Sequence, residues 1–443
     1  MNYPDALTYL GQSRRFGMKL GLESMRGLAW ALGMPQEKLR FIHLAGTNGK
    51  GSTAAFCESC LRASGHRTGL YTSPHLVSVR ERIQIDRVPI SEAAFGEGMA
   101  IVRDAVENEL RQEVTFFELM TALALWYFAR EKVDWVVWET GLGGRLDATN
   151  IVQPEVCIIT NIGLDHQQYL GEGLDEIAAE KAGIIKPGVP VISAVEQGEA
   201  SEVIRKTALA QGCELTLIGR DVKSENLGLR GDKQLARIGG REFSVGLLGP
   251  HQIANAACAV AAMKQIGSDV DETAIARGLS ETVWPGRFEV LSEQPLIVID
   301  GAHNPAGVKM LVESWRAFLA SRFGWKPHEI DGRARLVFAS VADKDISEAA
   351  QLLAPLAREV LVVRLANERG AEPAQLAQAF PGLPCRCYDS VSDLWNDLKV
   401  APLDSVTLIA GSLFLVGEML ARRRGIAEEY RLNERLVAIP AIR

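Results

Sequence analysis

The chain has 443 residues and a formal net charge of −7, with 47% of its side chains hydrophobic and 23% charged. That length exceeds one ordinary core and predicts two or three globular domains, while the even mixing of acidic and basic residues excludes a basic face for nucleic acid. No apolar run approaches the roughly 20 residues that span a bilayer, and Met1-Asn2-Tyr3-Pro4-Asp5 lacks the order of a signal peptide, so a cytoplasmic location away from membranes is expected.

In chain order, the first informative element is an apolar run at 39–44, read as a strand. It leads into Gly46-Thr47-Asn48-Gly49-Lys50-Gly51-Ser52-Thr53 and a helical run at 54–62. Strand, glycine-rich loop and helix is the context in which backbone N–H groups and the positive helix end face nucleotide phosphates. Lys50 would add a point charge there, and a hydroxyl would sit near Mg²⁺. The general pattern is met imperfectly, since Gly51 separates Lys50 from Ser52 and Leu44 stands where a leading glycine belongs. A plain strand-to-helix turn that needs glycine for positive φ explains the same residues. Cys57 and Cys60 form a lone Cys-x-x-Cys on that helix. With seven scattered cysteines and no second pair at zinc spacing, reduced thiols are expected.

Further along, Tyr71-Thr72-Ser73-Pro74-His75-Leu76 reads as a loop with a fixed bend. A helical run at 117–130 precedes a strand at 133–138 that ends directly in Glu139. An unpaired charge at a buried strand terminus is costly, which points to a cation partner, although a capping or surface glutamate is the plainer alternative. The strand at 156–160 likewise ends in polar groups, Asn161-Ile162-Gly163-Leu164-Asp165-His166. Of the seven histidines, His75, His166, His251 and His303 sit in such clusters. The helix at 174–182 carries Lys181 at its end, where the helix dipole alone would favour a cation.

A strand at 189–193 and a helix at 200–210 continue the alternation, which predicts an α/β fold. Its centre is a doubly wound, mostly parallel sheet with the phosphate loop at the carboxyl end of the first strand. The stretch 215–248 breaks the rhythm and predicts a small antiparallel extension. After helices at 254–266 and 272–279 and a turn at 283–287, apolar runs at 296–299, 336–338, 360–363 and 406–409 restart the alternation, with a helix at 308–319. The expected division is therefore 1–288, an ATP-binding domain, and 289–443, a smaller α/β domain. Within Asp300-Gly301-Ala302-His303-Asn304-Pro305, Asn304 is suited to cap a helix whose first turn holds Pro305. The tail at 422–443 is charged and helix-compatible.

The 46–53 loop resembles the Gly-Thr-Asn-Gly-Lys-Gly-Ser/Thr loop of the Mur ligase superfamily, and within it the folylpolyglutamate synthase and dihydrofolate synthase family. The clusters at 71–76, 138–150, 159–166, 180–188, 251–255, 284–287 and 300–305 follow that family's motifs in order. The likeness is weaker at Asp343-Lys344-Asp345 and Ala410-Gly411-Ser412-Leu413, and loose over 14–23.

The resemblance implies that ATP is held by Gly46, Thr47, Asn48, Gly49, Lys50, Gly51 and Ser52 together with Asn255, Arg287 and Asp300, with His303 on the same interdomain face. It implies Mg²⁺ at Ser73, Glu139 and His166, and admits K⁺ as a further cation. Lys181 matches a position often carbamylated in the superfamily, where the modified group would help hold a second Mg²⁺. Leu146, Asp147 and Ala148 would line a pteroate site. Thr115, Phe116, Phe117 and Glu118 offer two aromatics beside a carboxylate to sandwich a pterin, although a core helix accounts for them equally; Ser412 completes the substrate residues.

Lys50, Glu139, His166 and Lys181 are the implied catalytic group. The implied activity is ATP-dependent joining of L-glutamate to folate or dihydropteroate by a monomeric enzyme. A peptidoglycan-precursor ligase, a small-molecule kinase and a nucleotide-gated binding protein are the alternatives.

Overall fold

The computed structural model describes residues 1–17, 21–267, 270–342, 346–367 and 369–426. Asp343-Lys344-Asp345, the middle of the loosely matching 14–23 stretch and most of the charged tail lie outside them.

Eight strands build the first sheet: β1 (Phe41–Ala45), β2 (Thr68–Tyr71), β3 (Ile83–Ile85), β4 (Val88–Pro89), β5 (Trp135–Glu139), β6 (Val156–Ile159), β7 (Val191–Ser193) and β8 (Leu215–Leu217). Their spatial order is β4-β3-β2-β5-β1-β6-β7-β8, parallel from β2 to β8, with β3 and β4 folded back antiparallel at one edge. Every residue of β1 and β5 is buried, as a sheet covered on both faces demands. Trp138 stacks on Tyr71 at 4.4 Å between ring centroids and meets Phe41 edge-on, which fills one face with aromatic rather than aliphatic volume.

From β1 the chain runs to β2 on one side and later to β6 on the other. The loops that follow β1, β2, β5 and β6 therefore open side by side at the carboxyl edge of the sheet, where such folds form a crevice.

Four helices matter for that edge: α1 (Lys50–Ala63), α2 (Phe116–Glu131), α3 (Leu174–Ala182) and α4 (His251–Gln265). The alanines of α4 let it approach α1 closely in a shared apolar cluster that also buries Cys57, Cys60 and Cys258 as free thiols. The Cys-x-x-Cys pair is thus core packing, and burial pushes the Cys60 thiol well up.

One expectation needs correction. The irregular stretch at 215–248 begins with β8, which joins the parallel sheet. Only β9 (Ser224–Arg230), β10 (Lys233–Ile238) and β11 (Arg241–Val245) form the separate antiparallel sheet.

The second domain holds β12 (Glu289–Glu293), β13 (Leu296–Ile299), β14 (Ala334–Phe338), β15 (Ala357–Val363), β16 (Cys385–Tyr388) and β17 (Val406–Ala410), in the order β12-β13-β17-β14-β15-β16. All neighbours are parallel except β12 against β13. Helices α5 (Pro305–Phe323) and α6 (Leu413–Arg424) start just beyond the carboxyl ends of β13 and β17. Val77 of the first domain is buried in the same apolar cluster as Leu415, Val416 and Leu420 of α6, so the domains share greasy contact beside the crevice. Among the described residues no helix is long and apolar enough to cross a membrane.

Candidate active site

The loop between β1 and α1 is fixed from outside itself. Asn161, just past β6, accepts from Asn48 N through its side-chain oxygen at 2.7 Å and from Thr47 N through its carbonyl at 2.9 Å. Thr160 Oγ1 donates to the Asn48 carbonyl at 2.7 Å, and Thr47 Oγ1 pairs with both the carbonyl and the N–H of Gly163. Gly46, at φ +150°, leaves no room for a side chain, since a Cβ would lie 1.9 Å from Thr160 Oγ1; Gly49, at φ +83°, would meet Asn255 Oδ1 at 2.5 Å.

Helix geometry turns the N–H groups of Lys50, Gly51 and Ser52 outward without intrahelical acceptors. Lys50 Nζ lies over the loop, donating to the carbonyls of Gly46 (2.9 Å) and Thr47 (3.2 Å). Ser52 accepts from Gln252, which in turn accepts from Asn255, tying α4 to the loop helix.

Glu139 ends β5 beside this loop. It is only 3% exposed, so it is neither a helix cap nor a surface residue. Its Oε2 accepts from Ser73 N at 3.0 Å. Burial raises its carboxyl to about 7, against the opposing pull of Lys50, the Ser73 amide, Arg287 and Arg82. The neighbouring Ser73–Pro74 peptide is cis. Arg82, fully buried, donates from Nε to His75 Nδ1 at 3.0 Å and covers the Phe116 ring. Because guanidinium can only donate, His75 carries its ring proton on Nε2.

The donors suit Mg²⁺ in one respect: a nucleotide-bound magnesium takes one or two protein carboxylates and fills its octahedron with phosphate and water oxygens. Glu139 supplies such a carboxylate, in a place where a cation would offset the cost of its burial. Among the described residues no three His, Cys, Asp or Glu side chains converge as a metal cluster. His166 stands in the left-handed region on the loop after β6, with its side chain 38% exposed and its N–H given to Asp165 Oδ1 at 2.9 Å.

Lys181, near the end of α3, is buried and aimed at the phosphate loop. Its Nζ donates at 2.9 Å to Gly46 O, the carbonyl that Lys50 also uses. Burial first, and the Lys50 charge second, lower its ammonium to about 7. The dipole explanation of a C-terminal lysine does not account for this inward placement.

Asp147 caps a short helical turn at Ala148–Ile151. Its oxygens accept from Leu142 N and from Thr149, whose hydroxyl also meets His43 Nε2 at 3.0 Å. Leu146 lies half-buried and Ala148 buried on the same turn.

Arg287, just before the domain boundary, and Asp300, His303 and Ser412 of the second domain face the same edge. Asp300 is buried at the end of β13 and accepts from Phe288 N (2.8 Å) and Ala302 N (2.7 Å); burial raises its carboxyl while Arg287 opposes the rise. His303 and Ser412 line a cavity of about 120 Å³ together with Pro74 and His75 from the first domain. Ser412 also caps α6 by accepting from Phe414 N.

The 115–118 cluster divides. Thr115 and Glu118 form a reciprocal capping box on α2, with Glu118 Oε2 accepting Thr115 N at 2.8 Å. Phe116 belongs to the core, and only Phe117 keeps some surface, packed beside Gly141. The aromatic pair therefore does not act as two walls of one slot.

Sequence reasoning gave no role to Asn161, Arg82 or Thr149. For Asn161 a signal existed, since polar residues directly after an apolar strand reach the neighbouring strand's loop. Buried Arg82 had none, because its partners lie far off in sequence or on another element.

Known proteins bear on this geometry. Residues 44–263 match the Mur ligase middle domain and 286–413 the Mur ligase glutamate ligase domain. The dihydrofolate synthase/folylpolyglutamate synthase of Bacillus subtilis is 36% identical over 438 residues, covering 95% of this chain and 99% of the relative. Among solved structures, Escherichia coli FolC in complex with DHPP and ADP superposes with a TM-score of 0.83 at 30% identity, covering 96% of this chain and 98% of that one. The folylpolyglutamate synthase of Thermotoga maritima gives 0.83 at 31% identity, covering 97% and 99%. With two domains matched in order and near-complete coverage of such relatives, the chain belongs to the dihydrofolate synthase/folylpolyglutamate synthase family of the Mur ligases.

Proposed function

We propose that this protein is an ATP-dependent ligase that joins L-glutamate to a pterin-bearing carboxylic acid, extending a reduced folate through its γ-carboxylate and also joining dihydropteroate to glutamate. The observation that carries the reading is the buried Glu139 carboxylate at the strand end beside the Lys50 loop. Membership of a family whose relatives bear both synthase names supports it. The functional boundary is placed at 288/289.

In the first step a substrate carboxylate oxygen attacks the γ-phosphorus of ATP, the bond to the β-phosphate oxygen breaks, and ADP leaves an acyl phosphate. In the second the glutamate amine attacks the acyl carbon, loses a proton, and the carbon–oxygen bond to phosphate breaks to give the amide. The difficulty is bringing a carboxylate to a polyanion. Lys50 and the outward N–H groups of α1 draw charge from the transferring phosphoryl group. Ser73, Glu139 and His166 would hold Mg²⁺, which when bound neutralises phosphate charge. Asn255, Arg287 and Asp300 orient the nucleotide, and His303 and Ser412 line the cleft where the amine approaches. Leu146, Asp147, Ala148 and Phe117 border the pterin side.

Tetrahydrofolate or dihydropteroate, each given with ATP and glutamate, is expected to release one phosphate per product heavier by one glutamyl residue. Phosphate retained on the product would mean a kinase. Stimulation only by a nucleotide-linked peptide precursor would move the enzyme to the peptidoglycan branch.

Lys181 is proposed to be carbamylated. With its ammonium lowered to about 7, the neutral amine is well populated at physiological pH and can add to CO₂, releasing a proton and becoming an anion that helps hold a second cation. Protein equilibrated with isotopically labelled bicarbonate should show a carbamate carbon resonance that Lys181→Arg lacks. Identical spectra for the two proteins would remove the modification.

A further inference from the structure

We propose that Asn304 is a positioning residue that couples closure of the two domains to the shape of the phosphate loop. Its side-chain amide crosses from the second domain to the first, with Nδ2 donating at 3.1 Å to Asn48 Oδ1 in the loop and at 3.1 Å to Asp165 Oδ2 on the loop after β6. Its Oδ1 accepts Gly307 N at 2.8 Å and caps α5. Gly307 N–H is a donor and can only face Oδ1, which fixes the amide's orientation and leaves both N–H groups for the other domain. Asn304 is 5% exposed, so the donor end of these part-buried bonds is largely shielded from water.

The partners matter as much as the distances. The backbone of Asn48 is already held by Asn161 and Thr160 within the first domain, so its side-chain oxygen is the part of the loop left to report on the second. Asp165 holds the N–H of His166 through its other oxygen. One amide thus touches the phosphate loop and the loop of an implied metal ligand together. It also sets the Asp165 carboxylate against the N-terminus of the 19-residue α5, where the helix dipole favours an anion. A second contact between the domains beside the crevice, from Val77 to α6, is apolar. Closure without the Asn304 bonds would leave the loop and the second domain out of register, and the acyl phosphate would meet water before the amine.

Two roles in one side chain can be separated. Asn304→Asp keeps the capping oxygen and removes both cross-domain donors, facing Asn48 Oδ1 and Asp165 with a carboxylate. The α5 cap is kept, because aspartate caps as well as asparagine, so any fall in melting temperature reports the two carboxylates brought face to face and should be recovered when Asp165→Asn is added. The expected result is a kcat at least tenfold lower with phosphate released per amide rising above one. Asn48→Ala, which leaves α5 alone, should uncouple in the same way. Adding Asp165→Asn to Asn304→Asp restores a donor–acceptor pair in reverse and should recover coupling relative to either single variant.

The kinetic arm rests on the ligase reading. Small-angle scattering with a non-hydrolysable ATP analogue does not: the parent should compact and Asn304→Asp should compact less. A parent that compacts yet makes no amide would defeat the ligase reading alone. Parent-like compaction and coupling in Asn304→Asp, or no recovery in the double variant, would overturn the role of Asn304.

Discussion

Lys50→Ala is expected to lower kcat by roughly 10²–10³, the usual effect of removing one group that stabilises transition-state charge. Unfolding free energy should change by no more than about 0.5 kcal/mol. The contrast follows from position. Lys50 opens α1 half-exposed and donates only to loop carbonyls, so the fold loses little with it. Its charge also acts on both buried titrating groups nearby. Lys50 lowers the carboxyl of Glu139 and the ammonium of Lys181. Without it, Glu139 should hold its proton to higher pH and Lys181 should hold its own as well, which reduces both the metal-binding carboxylate and the amine available to CO₂. The loss should therefore ease only partly at higher pH. A folded variant with near-parent turnover would remove Lys50 from the mechanism.

The phosphate loop was legible because its signal is local: an apolar strand, glycines where the backbone turns, and a lysine entering a helix within about a dozen residues. Glu139 could be read for the same reason, as a charge at the end of an apolar run. The alternation of strands and helices gave the parallel sheet, since its strands are buried on both faces. The edges were harder. Leu215–Leu217 is too short and too evenly half-buried to declare its sheet, and its pairing with Val191–Ser193 depends on register. Phe116 and Phe117 look alike in sequence, but consecutive helical residues point about 100° apart, and only packing decides which one the core keeps. The cap at Asn304 was readable from Asn-Pro. Its second use, across the crevice to Asn48 and Asp165, was not, because nothing in the chain brackets residues 256 positions apart.

Glu139→Gln is expected to remove Mg²⁺-dependent turnover, by a factor on the order of 10² or more, while making the metal-free protein more stable at neutral and alkaline pH. The sign follows from burial. The carboxyl of Glu139 is raised from the ordinary 4.5 to about 7, so the folded protein binds this proton more tightly than the unfolded chain does. The stability this contributes is complete below about pH 4.5 and is lost as pH rises through about 7, when a buried carboxylate must carry its charge; that gap corresponds to about 3 kcal/mol at most. Glutamine never ionises and escapes the loss, less whatever its amide N–H groups fail to satisfy. Melting temperatures in chelator should therefore coincide near pH 4 and diverge between pH 5 and pH 8, with the variant higher. Magnesium should act on the parent in the opposite sense, binding more tightly as pH passes 7 and supplying the positive charge that burial denies the carboxylate. Parallel melting curves across that pH range, together with an unchanged magnesium titration, would mean that Glu139 neither ionises in place nor holds the cation.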